Sequence, residues 1–166
     1  MTQETLWLMA TIYIGVGATV VMDLWALILK HFFGIPSLNY GLVGRWLGHF
    51  PKGQFAHKNI AQTPAVRGEQ ILGWAAHYAI GVGFAGLLLA IWGVEWARQP
   101  SLLPALIIGV CTVVMPFFVM QPSFGMGIAA AKTPKPNTIR LRSLGAHTVF
   151  GLGLYIAAIL FTFIAQ

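Results

Sequence analysis

Charge is what this sequence most lacks. Asp, Glu, Lys and Arg make up 8% of its 166 residues, where a soluble domain of this size carries about a quarter to clothe its surface. Acidic groups are the rarest of all, limited to Glu4, Asp23, Glu69 and Glu95. With no paired carboxylates, no nucleophile motif and no phosphate-binding glycine loop, a soluble-type enzyme is not expected. A single cysteine, Cys111, excludes an intramolecular disulfide and leaves the redox compartment open. No basic residue precedes the first apolar run, that run is too long for a signal-peptide core, and no small-residue cleavage site follows it. The first apolar segment is therefore expected to remain in the mature protein.

What the chain has instead is hydrocarbon-compatible length. Hydrophobic residues make up 57% of it, and four stretches carry no Asp, Glu, Lys or Arg: between Glu4 and Asp23, between Glu69 and Glu95, between Arg98 and Lys132, and after Arg142. Each supplies the roughly 20 apolar residues that cross about 30 Å of bilayer. The expected fold is all-α and integral to the membrane, one domain over residues 1–166. Its spans are expected near Leu6 to Leu29, Ile71 to Val94, Leu102 to Met120 and Leu144 to Ala165.

Basic residues resist translocation and so set orientation. Lys30, Arg45, Lys52, Lys58 and Arg67 fall in or beside the first loop, Lys132, Lys135, Arg140 and Arg142 in or beside the third, and only Arg98 on the other face. Both long loops are then cytoplasmic and both termini periplasmic. The net charge of +6 follows from this topology and calls for no nucleic-acid partner; contact with anionic lipid headgroups at the cytoplasmic face accompanies it.

An internal repeat is visible. Ile14-Gly15-Val16 followed by Thr19-Val20-Val21-Met22-Asp23 matches Ile108-Gly109-Val110 followed by Thr112-Val113-Val114-Met115-Pro116. Leu72-Gly73, Ala76-His77 and Gly81-Val82-Gly83 match Leu144-Gly145-Ala146-His147 and Gly151-Leu152-Gly153. A two-helix hairpin, residues 6–94, is thus expected to recur as residues 102–165. Two crossings separate the copies, so they run in the same direction as parallel repeats, with His77 and His147 as counterparts.

Asp23, His77 and His147 are the ionisable side chains, apart from Cys and Tyr, well inside the spans. At 1.5 Å per residue they lie about 10 Å from Lys30, about 12 Å from Glu69 and about 8 Å from Arg142, at similar depth in the cytoplasmic half. A charge there costs at least about 2.5 to 3.5 kcal/mol, so the three are expected to face one another or a wet cavity. Residues four apart share a helix face. Gly73, His77 and Gly81 form one stripe, Ser143, His147 and Gly151 a second, and Gly15, Thr19 and Asp23 a third. Three readings stand side by side. The stripes are close helix contacts with hydrogen-bonded histidines; or they form a proton-relay or binding site; or the two histidines are ligands of a haem or a metal, with Asp23 behind them. Cys111, Met115 and Met120 are weaker candidates for metal.

The first loop contains Leu42, Val43, Trp46, Leu47 and Phe50 on one helical face and Arg45 with His49 on another, the pattern of a short amphipathic helix in the interface. His49 and His57 read as solvated surface. Pro116 and the Gln121-Pro122 pair are expected to kink and then end the third helix, and residues 132–136 form an extended basic segment.

Several of these runs together resemble a known family. Met22-Asp23-Leu24-Trp25-Ala26, the segment from Pro36 to Trp46, Gly73-Trp74-Ala75-Ala76-His77-Tyr78, Phe117-Phe118-Val119-Met120-Gln121-Pro122 and Arg140-Leu141-Arg142-Ser143 are similar to a bacterial family of four-helix inner-membrane proteins catalogued only as a domain of unknown function. The resemblance spans nearly the whole chain. It implies the topology and a bacterial inner membrane, and it brings no activity or catalytic residue. Three functional classes follow from the residues: a carrier or proton-coupled permease, acting as a homo-oligomer because four helices enclose little volume; a haem or metal redox protein; and a non-catalytic membrane scaffold or assembly factor.

Overall fold

The computed structural model describes residues 2–164. Its α-helices are α1 (Gln3–Phe33), α2 (Tyr40–Gly48), α3 (Glu69–Trp92), α4 (Glu95–Arg98), α5 (Leu102–Cys111), α6 (Gln121–Ser123) and α7 (Pro136–Thr162). No strand occurs among the described residues. Four segments are long and apolar enough to cross a membrane: Gln3–Phe33, Glu69–Trp92, Leu102–Ser123 and Pro136–Thr162.

The helix ends follow local chemistry. The Thr2 hydroxyl accepts from the Thr5 N–H to open α1, and Gly34, at φ 64°, closes it in the left-handed conformation that glycine adopts without a Cβ penalty. Asn39 opens α2 by accepting from the Gly41 N–H. Pro116 has no N–H to donate, and its ring crowds the carbonyl one turn back. The chain answers with a π-helical turn over Pro116–Met120, in which the Gln121 N–H reaches the Pro116 carbonyl. The third long apolar segment is therefore interrupted at Pro116 and ends at Ser123, as the prolines predict. The fourth helix starts at Pro136, eight residues before Leu144, where the apolar span is expected to begin. A proline at the first helical position is pre-set for helix, and the helix carries Arg140 and Arg142 beyond the apolar run. Ala165, the expected end of the fourth span, lies outside the described residues.

The chain forms two compact units; Leu38–His77 with Val113–Leu144 make one, and the rest of the chain the other. In the latter, Leu6, Ile14, Leu88, Leu154 and Phe161 anchor a buried cluster, and the helices approach through small residues, as helices in lipid do. A Cβ at Gly15 would strike the backbone of Gly81 and Val82, and one at Gly109 would meet the Gly151 backbone and the His147 carbonyl. At both places a threonine hydroxyl is spent on the glycine's own carbonyl: Thr19 donates to Gly15 O at 2.8 Å and Thr112 to Gly109 O at 2.7 Å.

In the other unit, Tyr40, Val43, Ile60 and Phe124 form the buried cluster, joined by Leu42, Trp46 and Leu47. The apolar side of α2 thus packs on the chain's own loops. Gly44 lies against the Glu69 carbonyl and Gly73 against that of Tyr40, so α2 and the start of α3 touch backbone to backbone.

Candidate functional site

Each ionisable group that the sequence places inside an apolar span is met by a hydroxyl. In α1, Asp23 accepts a hydrogen bond from the Tyr78 hydroxyl at 3.0 Å. In α7, His147 lies 3.0 Å through Nδ1 from the Thr112 hydroxyl. Thr112 has one proton and gives it to Gly109 O, so towards the imidazole it accepts. His147 therefore carries its proton on Nδ1, leaving the Nε2 lone pair as the ring's proton-accepting position. In α3, His77 shares a 3.0 Å hydrogen bond through Nε2 with the Tyr40 hydroxyl. The Tyr40 ring also stacks on the imidazole, with centroids 4.1 Å apart.

The supporting residues are in close contact rather than lining open space. Thr19 is buried, and Gly81 sits directly against its hydroxyl. Gly73 is filled by the Tyr40 carbonyl, and Gly151 lies against Ala105, Leu106 and Gly109. The Ser143 hydroxyl accepts from the Gln121 side-chain amide at 3.3 Å. Among the described residues no group of three or more His, Cys, Asp and Glu side chains could hold a metal ion, and Cys111 and Met115 are both exposed.

Sequence reasoning missed the three hydroxyl partners. Thr112 carried a signal, since the matched sequence segments align it with Thr19; Tyr78 and Tyr40 carried none beyond lying near His77 and the α2 cap.

A second polar centre joins α2, the first loop and the start of α3. Arg45 forms a fork with Glu69, Nε to Oε2 at 2.9 Å and Nη2 to Oε1 at 2.8 Å. Its Nη1 reaches the carbonyls of Ile60, Ala61 and Thr63, and Glu69 Oε2 also accepts from the Val66 N–H. The hydrogen bonds to the carboxylate hold the Arg45 pKa above its ordinary value despite partial burial. His49, expected in solvent, is 3% exposed, with its Nδ1 unpartnered; the loop folds back and covers it. Its ring lies 5.2 Å from that of His57. Burial, and secondarily the His49 charge, push the His57 pKa below its usual 6.5.

No curated protein and no solved structure matches this chain. Residues 12–161 match the model of a family described as "Protein of unknown function (DUF2938)", and the chain belongs to that family.

Proposed function

We propose that this protein is a proton-coupled carrier of the bacterial inner membrane, in which Asp23, His77 and His147 exchange protons or bind the cargo. The observation that carries the reading is the environment of His147. Thr112 spends its proton on a helix carbonyl and thereby fixes the imidazole tautomer, and no described residue engages Nε2. A histidine prepared in this way has one ring nitrogen held and the other open to take up and release a proton. Asp23, held by a tyrosine hydroxyl, supplies a carboxylate that partly hydrated intramembrane sites use for the same purpose.

In this reading the basic loops are cytoplasmic and both termini periplasmic, α2 lies at the cytoplasmic interface near anionic headgroups, and the working unit is a homo-oligomer. The matched Gly15/Gly81 and Gly109/Gly151 contacts, each with its threonine, support a duplicated hairpin. The haem alternative finds less support. His77 already engages Nε2, the usual haem-ligating nitrogen, with Tyr40, and the glycines beside both histidines are filled by neighbouring chain.

The test is proton movement in liposomes loaded with a pH-sensitive dye, under a potassium-diffusion potential. Proton entry should exceed that of empty liposomes and fall to background in Asp23→Asn and His147→Gln variants that insert and melt normally. Entry equal to empty liposomes, or unchanged in both variants, refutes the carrier and returns these residues to packing. A Soret band in the purified protein would establish the redox alternative.

A further inference from the structure

Duplication of a hairpin implies a helix contact that the single chain lacks. In the unit that holds α1, α3 from Tyr78, α5 and α7 from Gly145, each hairpin closes on itself, Gly15 against Gly81 and Val82 in one and Gly109 against Gly151 in the other. The two hairpins also meet. α7 lies on α1 through Gly153, where a Cβ would come 2.9 Å from both the Cα and the carbonyl oxygen of Ala18. Gly17 answers from α1, since a Cβ there would stand 2.8 Å from that of Ala157.

Under the duplication the contact of α7 with α1 has a counterpart. Gly81-Val82-Gly83 aligns with Gly151-Leu152-Gly153, and Ala18-Thr19 with Cys111-Thr112. α3 should therefore carry Gly83 against Cys111 of α5, as α7 carries Gly153 against Ala18. Within the chain it does not. A Cβ at Gly83 would meet nothing within 4 Å among the described residues, and Cys111 is exposed.

Both bare faces have the build of the filled ones. Ala79, one turn before Gly83, is exposed with it, and Val110 is exposed beside Cys111, so the backbones of the two helices are open to close approach. Helices in lipid associate at such places, through dispersion contact between closely approaching chains. A glycine inside a helix is also less stable than an alanine. Close approach of α1 offsets that loss at Gly153, and nothing in the chain offsets it at Gly83.

We propose that the missing contact is made between two copies of this chain, with Gly83 of each protomer seated against Cys111 of the partner subunit. A two-fold axis along the membrane normal relates the copies, so the pairing is closed and uses the same surface on both. That axis leaves both chains inserted in one orientation, and α3 then meets the partner's α5 antiparallel, as successive crossings do. The proposal gives the homo-oligomer of the carrier reading its contact. It rests on the duplicated hairpin and not on proton movement, so the liposome assay and the experiment below fail separately.

Cys111 is the chain's one cysteine, so the contact can be read directly. Full-length Gly83→Cys protein is oxidised with copper phenanthroline in its native membrane and separated without reductant. The β-carbons of a disulfide stand about 3.5–4.5 Å apart, so a bridge reports contact. Gly83→Cys should run as a dimer that reductant returns to monomer. The natural chain, the Gly83→Cys/Cys111→Ser variant and Ile156→Cys, at an exposed position of α7, should stay monomeric. No dimer, equal dimer in Ile156→Cys, a bridge within one chain, or a ladder beyond the dimer each overturns the closed pair. A second measurement needs no oxidation. Dimer affinity, read in lipid vesicles by energy transfer between donor- and acceptor-tagged chains, should weaken about tenfold in Gly83→Leu and stay within about twofold in Ile156→Phe. Gly83→Ala keeps the face small and should pair as the natural chain does. Because the Gly83 face is open within its own chain, Gly83→Leu should insert and melt normally, and unchanged energy transfer in that variant would sink the contact.

Discussion

Replacing Glu69 by Gln removes one charge from the fork that ties the first loop to the start of α3. Two charge-assisted hydrogen bonds are broken or weakened, at 2.9 and 2.8 Å. Each such bond contributes about 1.5–3 kcal/mol in isolation, yet the two share one geometry and cannot both count in full. The side chains are 14% and 21% exposed, so water recovers part of the loss. A cost of about 2 kcal/mol remains, because Arg45 is left charged among the carbonyls of Ile60, Ala61 and Thr63 with no anion facing it. Arg45→Ala should cost more, about 3 kcal/mol, since those three contacts go as well. The double variant should cost about 3 rather than 5, a coupling of about 2 kcal/mol.

Thermal melting in detergent, followed by far-UV circular dichroism, reads the difference. At about 2–4 °C per kcal/mol for a chain of this length, Glu69→Gln should melt about 4–8 °C lower. Two additive single variants, or a Glu69→Gln protein that melts with the natural one, would show that the fork is solvated and that α2 is held by apolar contact alone.

The close helix contacts give a paired prediction: Gly109→Ala should cost about 1–3 kcal/mol because the new methyl meets only backbone, whereas Gly83→Ala, with nothing within 4 Å, should leave the melt unchanged or slightly raised. The His57 pKa is lower folded than unfolded, so the unfolded chain binds a proton that the folded one refuses. Its contribution to stability is complete above about pH 6.5 and is lost as pH falls through the folded value; the melting drop between pH 7.5 and 5.5 should shrink in His57→Gln, and an identical drop would contradict the burial. For orientation, a periplasmic reporter fused after Gln166 should be active and a cysteine placed at Lys52 should resist impermeant reagents added outside; the reverse pattern would overturn the positive-inside argument.

The four long apolar helices were legible in the sequence because hydrocarbon imposes a length and a composition that few other constraints mimic. Pro116 was legible as a break, since a missing N–H is a property of the residue alone; the π-helical form of the break was not, because it depends on how the next turn settles. The start of α7 was not legible for a related reason. Arg140 and Arg142 mark where the hydrocarbon-compatible run ends, but a helix does not end there, and Pro136 carries it eight residues further. The burial of His49 was invisible because it depends on the first loop turning back on itself, which brings His57 against its ring. For Asp23, His77 and His147 the expected depth rests on rise per residue alone, whereas the partners Tyr78, Tyr40 and Thr112 depend on which way each helix is turned towards another. Arg45 and Glu69, 24 positions apart, are a pairing that no local pattern announces.

The two histidines bear on the choice between a relay and a symmetric cofactor site. Under the proposed duplication they are counterparts, and a pair of axial ligands would present the same nitrogen from equivalent surroundings. They do not: His77 engages Nε2 with a tyrosine that also stacks on its ring, while His147 engages Nδ1 with a threonine anchored to a helix carbonyl. The same comparison sets Asp23 against Pro116, so one copy carries a carboxylate where the other carries a helix break, and two imidazoles are left with a single acid. Groups that hand a proton along must differ in how tightly they hold it, and unequal partners around equivalent residues are how a duplicated framework acquires that difference. A scaffold would gain nothing from keeping a carboxylate within an apolar crossing at the cost of its desolvation. Divergence at these positions, with the glycine and threonine contacts between the helices retained in both copies, is the pattern expected where packing was duplicated and the chemistry was then specialised.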